Sequence, residues 1–537
     1  MNIRPLLITL ALLLGCLIGW VILDDATQVA EKPEEESKEK PKFTTIEPPK
    51  TKGDRKRDLS KKRVTLEDII ALPNQRLIKF SDEESYRDFL AKLGNSDLKL
   101  LGNIDQLWVV GVGYRRLSDL TDLGVDENDL LHNFPVTVPQ PGEVQDQPNA
   151  VGFGRSALEF LGITGDNSAF GEGVKVAIID TGVEPHLALS KGFETINLIE
   201  LPEGTEPHGH GTAVASLVAG DHPNMTGVAP SASILSIRVA DESGVSNSLT
   251  LAQGIIAAVD NGAQIINISM GSYGNSLVVQ EAIGYANQKG SVIFASSGNE
   301  GYGESAYPGA NEGVNSVGAV DAEGTHLYFS NTSDELGMTA PGLEVQAAWP
   351  NDQVISFTGT SAASPFLAGA TAALMSELNM SAQEAYNHLV EYGNEGGELG
   401  GDPYIGEGIL NVGRALQHDT SGIQDIAVAS QYFPSGDGAS PYLHVLVENR
   451  GTEDLWRSSV EVNVDGSVYD IPINHLKADE VKAITIPITE NHLIREGSLN
   501  VRSEVKVSSE TNDIQPSNNR RTDTFVDPNL VVPDEDN

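Results

Sequence analysis

The chain has 537 residues, 39% hydrophobic and 21% charged, with 54 glycines and 27 prolines, which predicts roughly three or four folded units and excludes a single small module or a collagen-like chain. Its 35 lysines and arginines stand against 76 aspartates and glutamates for a net charge of -41, which repels phosphate backbones and excludes nucleic acid as a partner. The single cysteine, Cys16, excludes an internal disulfide framework and any cysteine-rich metal site.

Residues 5–23 hold no charge and as a helix would reach about 28 Å, nearly a hydrocarbon core of about 30 Å. Residues 1–30 are therefore read as a membrane-targeting segment that directs the bulk of the protein out of the cytoplasm. No small-x-small cleavage site follows, so an uncleaved anchor is preferred to a removed signal peptide. Leu13-Leu14-Gly15-Cys16 is similar to a bacterial lipobox, but the apolar run continues through Leu17, Ile18, Trp20 and Val21, so Cys16 is read as a small membrane residue. Residues 31–63 carry 12 basic and 8 acidic side chains with four prolines, a composition that buries nothing and makes 31–64 a solvated tether.

Residues 65–141 read as a small α+β unit: a strand at 76–80, a helix at 82–93, a strand pair around 107–114, a short helix near 117–123 and an extended stretch at 134–138. In residues 150–418, runs rich in Val and Ile (174–180, 234–239, 264–269 and 292–296) alternate with helical patterns (211–220 and 249–261). Apolar strands alternating with helices predict an α/β fold, a parallel sheet flanked by helices. Across 422–527 the helical period gives way to short alternating runs at 426–428, 443–447, 460–464, 481–488 and 499–507, which predict an all-β sandwich.

Three motifs sit where strands of the parallel sheet end or helices begin, the place where sites assemble in such sheets. Asp180-Thr181-Gly182 closes a buried strand; alone, an aspartate there is more often a turn former or helix cap than a functional group. His208-Gly209-His210-Gly211-Thr212 opens a helix, and as a metal pair it lacks a cysteine or acidic ligand at metal spacing. Gly359-Thr360-Ser361-Ala362-Ala363-Ser364-Pro365 starts another helix, where Ser361 reads either as a cap or as a hydroxyl beside unpaired N–H groups. Ser297-Gly298-Asn299 brings an amide donor to the same edge. Acid, base, hydroxyl and amide donor together make an acyl-transfer set, in the chain order Asp, His, Ser.

With Val176-Ala177-Ile178-Ile179 before Asp180, Val214-Ala215 after His210, Glu300 after Asn299, and Tyr307-Pro308-Gly309, these motifs make residues 151–417 resemble the subtilisin-like serine proteases. The resemblance implies Ser361 as nucleophile, His210 as general base and Asp180 as its orienter. It implies Asn299 with the Ser361 N–H as the oxyanion hole. His208 is then a decoy, because the family's base directly precedes Gly-Thr. Ala213 and Ala362 depart from common family residues without removing a catalytic group. Ser269-Met270-Gly271 resembles the strand that pairs with substrate backbone, while Gly298 and Ala306 fall beside the pocket for the residue before the scissile bond. A small, uncharged Ala306 implies a large apolar or aromatic residue there and broad specificity.

Residues 65–141 resemble the family's ferredoxin-like inhibitory propeptide, with the stretch at 134–138 expected in the substrate cleft. Residues 422–527, through Val447-Glu448-Asn449-Arg450-Gly451-Thr452 and Asn518-Asn519, resemble CARDB-type adhesion modules. The expected protein is thus an extracytoplasmic zymogen, secreted or anchored through residues 5–23. Its partners would be protein or peptide substrates, its own propeptide and, through the N-terminus, the membrane. No catalytic cofactor or metal is called for; relatives hold structural calcium, but no EF-hand loop places an ion. The alternative is a catalytically silent adhesion protein on the same fold, against which the intact set of Asp180, His210, Asn299 and Ser361 argues.

Overall fold

Apolar runs without polar alternation can be covered on both faces, and here they form the middle of a seven-stranded parallel sheet. The structure, a computed structural model, describes residues 70–126, 129–145, 147–434, 442–488, 498–508 and 511–526. The targeting segment and tether expected at 1–64 lie outside these residues. Among the described residues, no helix is long and apolar enough to cross a membrane.

From edge to edge the parallel strands are Leu336–Pro341, Asn315–Val320, Val292–Ser296, Ile265–Ile268, Lys175–Asp180, Ser233–Arg238 and Phe193–Asn197. Successive residues of a strand point to opposite faces. Accordingly Val176 and Ile178 join one core with helices His210–Ala219 and Thr360–Leu378, while Ala177 and Ile179 join another with helices Ser248–Asp260 and Leu277–Gln288. The Thr360–Leu378 helix is buried from Thr360 through Met375, which its alanine-rich sequence permits because small side chains let the helix lie against the sheet. Asp180, His210 and Ser361 thereby arrive at one end of the sheet.

Ahead of this layer lies a four-stranded antiparallel sheet ordered Lys99–Ile104, Val109–Gly113, Gln75–Lys79, Leu130–Leu131. Its helix Glu83–Leu93 starts at Asp82, whose carboxylate accepts from the Ser85 N–H at 2.8 Å, and buries Tyr86, Phe89 and Leu93 against Val110 and Val112. The strand pair read near 107–114 begins earlier than its apolar pattern suggested. Asp105–Leu107 is a 3₁₀ turn and Trp108 is left-handed (φ 51), so the partner strand is the polar-flanked Lys99–Ile104.

The carboxy-terminal strands form two antiparallel sheets, one of Ile426–Tyr432, Tyr442–Asn449 and Val481–Pro487 and one of Ser467–Leu476, Leu455–Val464, Ser498–Lys506 and Arg520–Val526. Val445, Val447, Val460, Val462, Ile486 and Val501 fill a shared core, the packing expected of a sandwich.

Candidate active site

Asp180 ends its strand fully buried, and both its carboxylate oxygens lie 2.9 Å from His210 Nδ1. The Thr181 N–H donates to Asp180 Oδ1 at 2.7 Å, so the carboxylate is held from two sides. His210 is the first residue of its helix and 4% exposed. The helix can start this close only because residue 211 is glycine: a Cβ there would meet the Gly182 carbonyl oxygen at 2.3 Å and Asp180 Cβ at 3.2 Å. The Phe357 ring stands edge-on to His210, 5.2 Å away, covering the imidazole with apolar surface.

Ser361 lies in the first turn of its helix and is 2% exposed. Pro365, four residues on, has no N–H, so the Ser361 carbonyl lacks its intrahelical donor. The Ser269 hydroxyl takes that place, donating to the Ser361 carbonyl at 3.2 Å. Asn267 and Ser364 complete the brace: Asn267 Nδ2 donates to Ser269 Oγ at 3.0 Å and Ser364 Oγ to Asn267 Oδ1 at 2.8 Å. In this conformation the Ser361 hydroxyl donates to the Ser269 carbonyl at 3.1 Å. A hydroxyl has one proton, so it must rotate before it can offer that proton to His210.

Asn299 follows the buried strand Val292–Ser296. Its Oδ1 accepts from the Thr360 N–H and hydroxyl, each at 2.9 Å, which fixes the amide plane and leaves Nδ2 facing the cleft. Gly359 (φ 139) is required beside it, since a Cβ would come within 2.7 Å of Asn299 Nδ2. Nδ2 donates to the carbonyl of Gln140 at 2.8 Å. A segment of the chain itself therefore lies at the amide donor.

That segment runs as a strand through the cleft. Pro135–Thr137 pairs antiparallel with Val245–Asn247, and on the other side Thr137 and Gly271 exchange N–H···O bonds of 2.9 and 3.0 Å. The Val138 N–H donates to the Gly244 carbonyl at 2.9 Å. Of the expected Ser269-Met270-Gly271 run, Gly271 pairs with this strand, Ser269 faces Ser361, and Met270 is fully buried in the core that also holds Val136. Gly298 and Ala306 line a cavity of about 260 Å³ with Gly271, Tyr273, Glu300 and Pro139.

Glu300 accepts from the Tyr273 hydroxyl and, at 2.9 Å, from the Asn299 N–H. Burial, reinforced by the Glu300 hydrogen bond, pushes the Tyr273 hydroxyl above its ordinary range, so it stays protonated. His208 lies apart from this chemistry. Its Nδ1 accepts from the His210 N–H at 3.3 Å and its ring packs against Trp349. Burial, then the neighbouring His210, holds its imidazole below the usual range. Among the described residues, no group of three or more His, Cys, Asp or Glu side chains is arranged to hold a metal ion.

Sequence reasoning missed the Ser269–Ser361 brace, the Asn267–Ser364 link and the part played by Gly244. Only the first left a signal, the proline four residues after Ser361.

A model of the subtilase family, Peptidase_S8, matches residues 171–398. Among similar proteins, an alkaline protease of Shouchella clausii is 30% identical over 350 residues, spanning 64% of this chain and 91% of that protein. A thermostable alkaline protease of Halalkalibacterium halodurans is 34% identical over 256 residues, 46% of this chain and 69% of its own. Subtilisin Savinase of Lederbergia lenta is 35% identical over 251 residues, 46% and 92% respectively.

Proposed function

Since the chain belongs to the subtilase family and is a serine endopeptidase, we propose that it hydrolyses protein substrates through an acyl-enzyme on Ser361, with Asp180, His210 and Asn299 as partners. Ser361 Oγ, turned from the Ser269 carbonyl toward His210 Nε2, attacks the substrate carbonyl while Nε2 takes the hydroxyl proton. Asp180 holds Nδ1–H and stabilises the imidazolium. Asn299 Nδ2 and the Ser361 N–H, at the positive end of its helix, receive the developing oxyanion. His210 returns the proton to the leaving amine; a water, deprotonated by the same imidazole, then releases the acid and restores the serine. The observation that carries this reading is the buried Asp180 carboxylate on His210 Nδ1.

Residues 65–141 are proposed as the inhibitory propeptide, supported by the strand that Pro135–Thr137 adds to the cleft. Ala306 and Gly298 beside the 260 Å³ cavity favour a large apolar or aromatic residue before the scissile bond, with broad specificity; a peptide-library preference for Lys or Arg would refute this. Residues 5–23 support an extracytoplasmic enzyme, secreted or membrane-anchored, and residues 422–527 a CARDB-type spacer or binding module. Catalysis by these groups calls for no cofactor, and structural calcium is left unplaced.

The test is labelling with a serine-directed phosphonate after removal of residues 65–141, followed by peptide mapping. Label on Ser361, absent in Ser361→Ala, is expected. Label retained in that variant would end the assignment.

A further inference from the structure

Resting on the reading of Ser361 as nucleophile, the register of the cleft strand says what the inhibitor does to it. In an antiparallel pair, residues that exchange both backbone hydrogen bonds recur every second position. Thr137 and Gly271 make such an exchange, so the next falls on Pro139 opposite Ser269. A residue there should donate its N–H to the Ser269 carbonyl. Proline has none.

The vacant acceptor is taken by the nucleophile, for Ser361 Oγ–H donates to the Ser269 carbonyl at 3.1 Å. The carbonyl held by Asn299 Nδ2 belongs to the following residue, Gln140, at 2.8 Å. Two anchors that a cleavable peptide must satisfy with one residue are thus divided between two. The bond after Gln140 also leads to Pro141, whose nitrogen would have to leave as a ring amine carrying Cδ in place of hydrogen. Beyond it the chain returns to the surface, with Glu143, Gln145, Asn149 and Val151 exposed.

We propose that residues 135–141 are a non-productive plug: an inhibitor strand whose Pro139 parks the nucleophile on Ser269, which the serine beneath it does not cut, so that maturation starts with hydrolysis by a second molecule near the exposed residues Glu143, Gln145, Asn149 and Val151. That hydrolysis adds one water across one peptide bond and needs no other reactant.

Full-length protein folded over a wide dilution series, followed by intact mass and N-terminal sequencing, tests this. Wild type is expected to convert per molecule faster as concentration rises, with no new terminus at Gln140 or Pro141. Pro139→Ala, which restores the N–H, is expected to cut itself after residue 139 at a concentration-independent rate, about tenfold faster or more, the worth of one backbone hydrogen bond. Equal melting of Pro139→Ala,Ser361→Ala and Ser361→Ala checks that the substitution leaves the fold intact. A concentration-independent wild-type cut giving Gln140 or Pro141, or a Pro139→Ala rate no faster than wild type, overturns the plug. Casein hydrolysis after a specific protease sequence placed at 143–149 is cut and the amino-terminal fragment removed separates the two readings. If it is present alongside a self-made Gln140 terminus, only the plug fails; if it is absent, the peptidase assignment fails and takes the plug with it.

Discussion

The parallel-sheet layer carries a neighbour on each side, and the two contacts are built from different materials. Toward the amino-terminal unit, Leu77, Ile104, Val109 and Val136 join the core beneath helices Ser248–Asp260 and Leu277–Gln288. Leu249 lies over Gly111, where an added Cβ would meet it at 2.4 Å. Charged groups stay at the rim: the Lys79–Glu281 ion pair is half exposed, and Gln106 Nε2 donates to the exposed Asp260 at 2.6 Å. Toward the sandwich, charges are interred. Glu448, whose side chain is 2% exposed, accepts from Arg414 and, at 2.8 Å, from Arg450, while Arg414 also bonds Asp479 at 2.9 Å. Burial opposes ionisation of Glu448, but the two guanidinium groups outweigh it and hold its carboxyl below the usual range.

Separating the first contact exposes apolar surface and frees solvated ions; separating the second takes the buried Arg414 from Glu448 and Asp479. The first surface fits the proposed release of the amino-terminal unit, the second a permanent seam.

The comparison can be broken at several points. Ser361→Ala should lower casein turnover by about a million-fold, a figure known from subtilisin itself, a member of this family, and should keep the amino-terminal unit covalently attached at every concentration. Glu448→Ala leaves Arg414 and Arg450 without their shared carboxylate and should cost about 3–5 kcal/mol in denaturant unfolding; a loss below about 1 kcal/mol would make the sandwich seam no different from a surface pair.

A pH series sharpens the same seam. Burial, with the Glu448 charge as a lesser contributor, raises the Glu395 carboxyl from 4.5 to about 7 against the Gly400 N–H bond that lowers it. The folded protein therefore holds a proton that the unfolded chain has released. This contribution to stability is present below about 4.5 and is lost as pH rises to about 7. Asp402 and Asp425, also raised chiefly by burial, act in the same sense. Melting temperature measured from pH 5 to 8 should fall less in Glu395→Gln than in wild type. The smallest effect is expected at Lys79→Ala, within about 1 kcal/mol, and a larger loss of affinity between the separated amino-terminal unit and the rest would show that the rim, not the apolar face, holds that unit.

The sheet and its site were legible because their signals are local. Val176 to Ile179 are apolar without interruption, so the strand and the aspartate that ends it follow from one short run. The same holds for Ser361 behind Gly359 and for Asn299 behind Gly298. Elements that face water hide their pattern: Ser467–Leu476 mixes Asp470, Pro472 and Asn474 among its apolar residues and alternates exposure along one edge of the sandwich, and the sequence reading passed it over. The hairpin Val345–Trp349 with Gln353–Phe357 was missed too, although its Phe357 reaches His210. The opposition of Pro139 and Ser269 could not be read at all, because it depends on a register between segments far apart in the chain.

The proline at position 365 has a mechanical consequence. By withholding a donor from the Ser361 carbonyl it ties Ser361 to the hydroxyl of Ser269, two residues from Gly271, which pairs with the cleft strand at Thr137. A poorly seated peptide that drags this edge sideways would pull the nucleophile with it, so turnover rather than binding would register the misfit, and Ser269→Ala would slacken that tether.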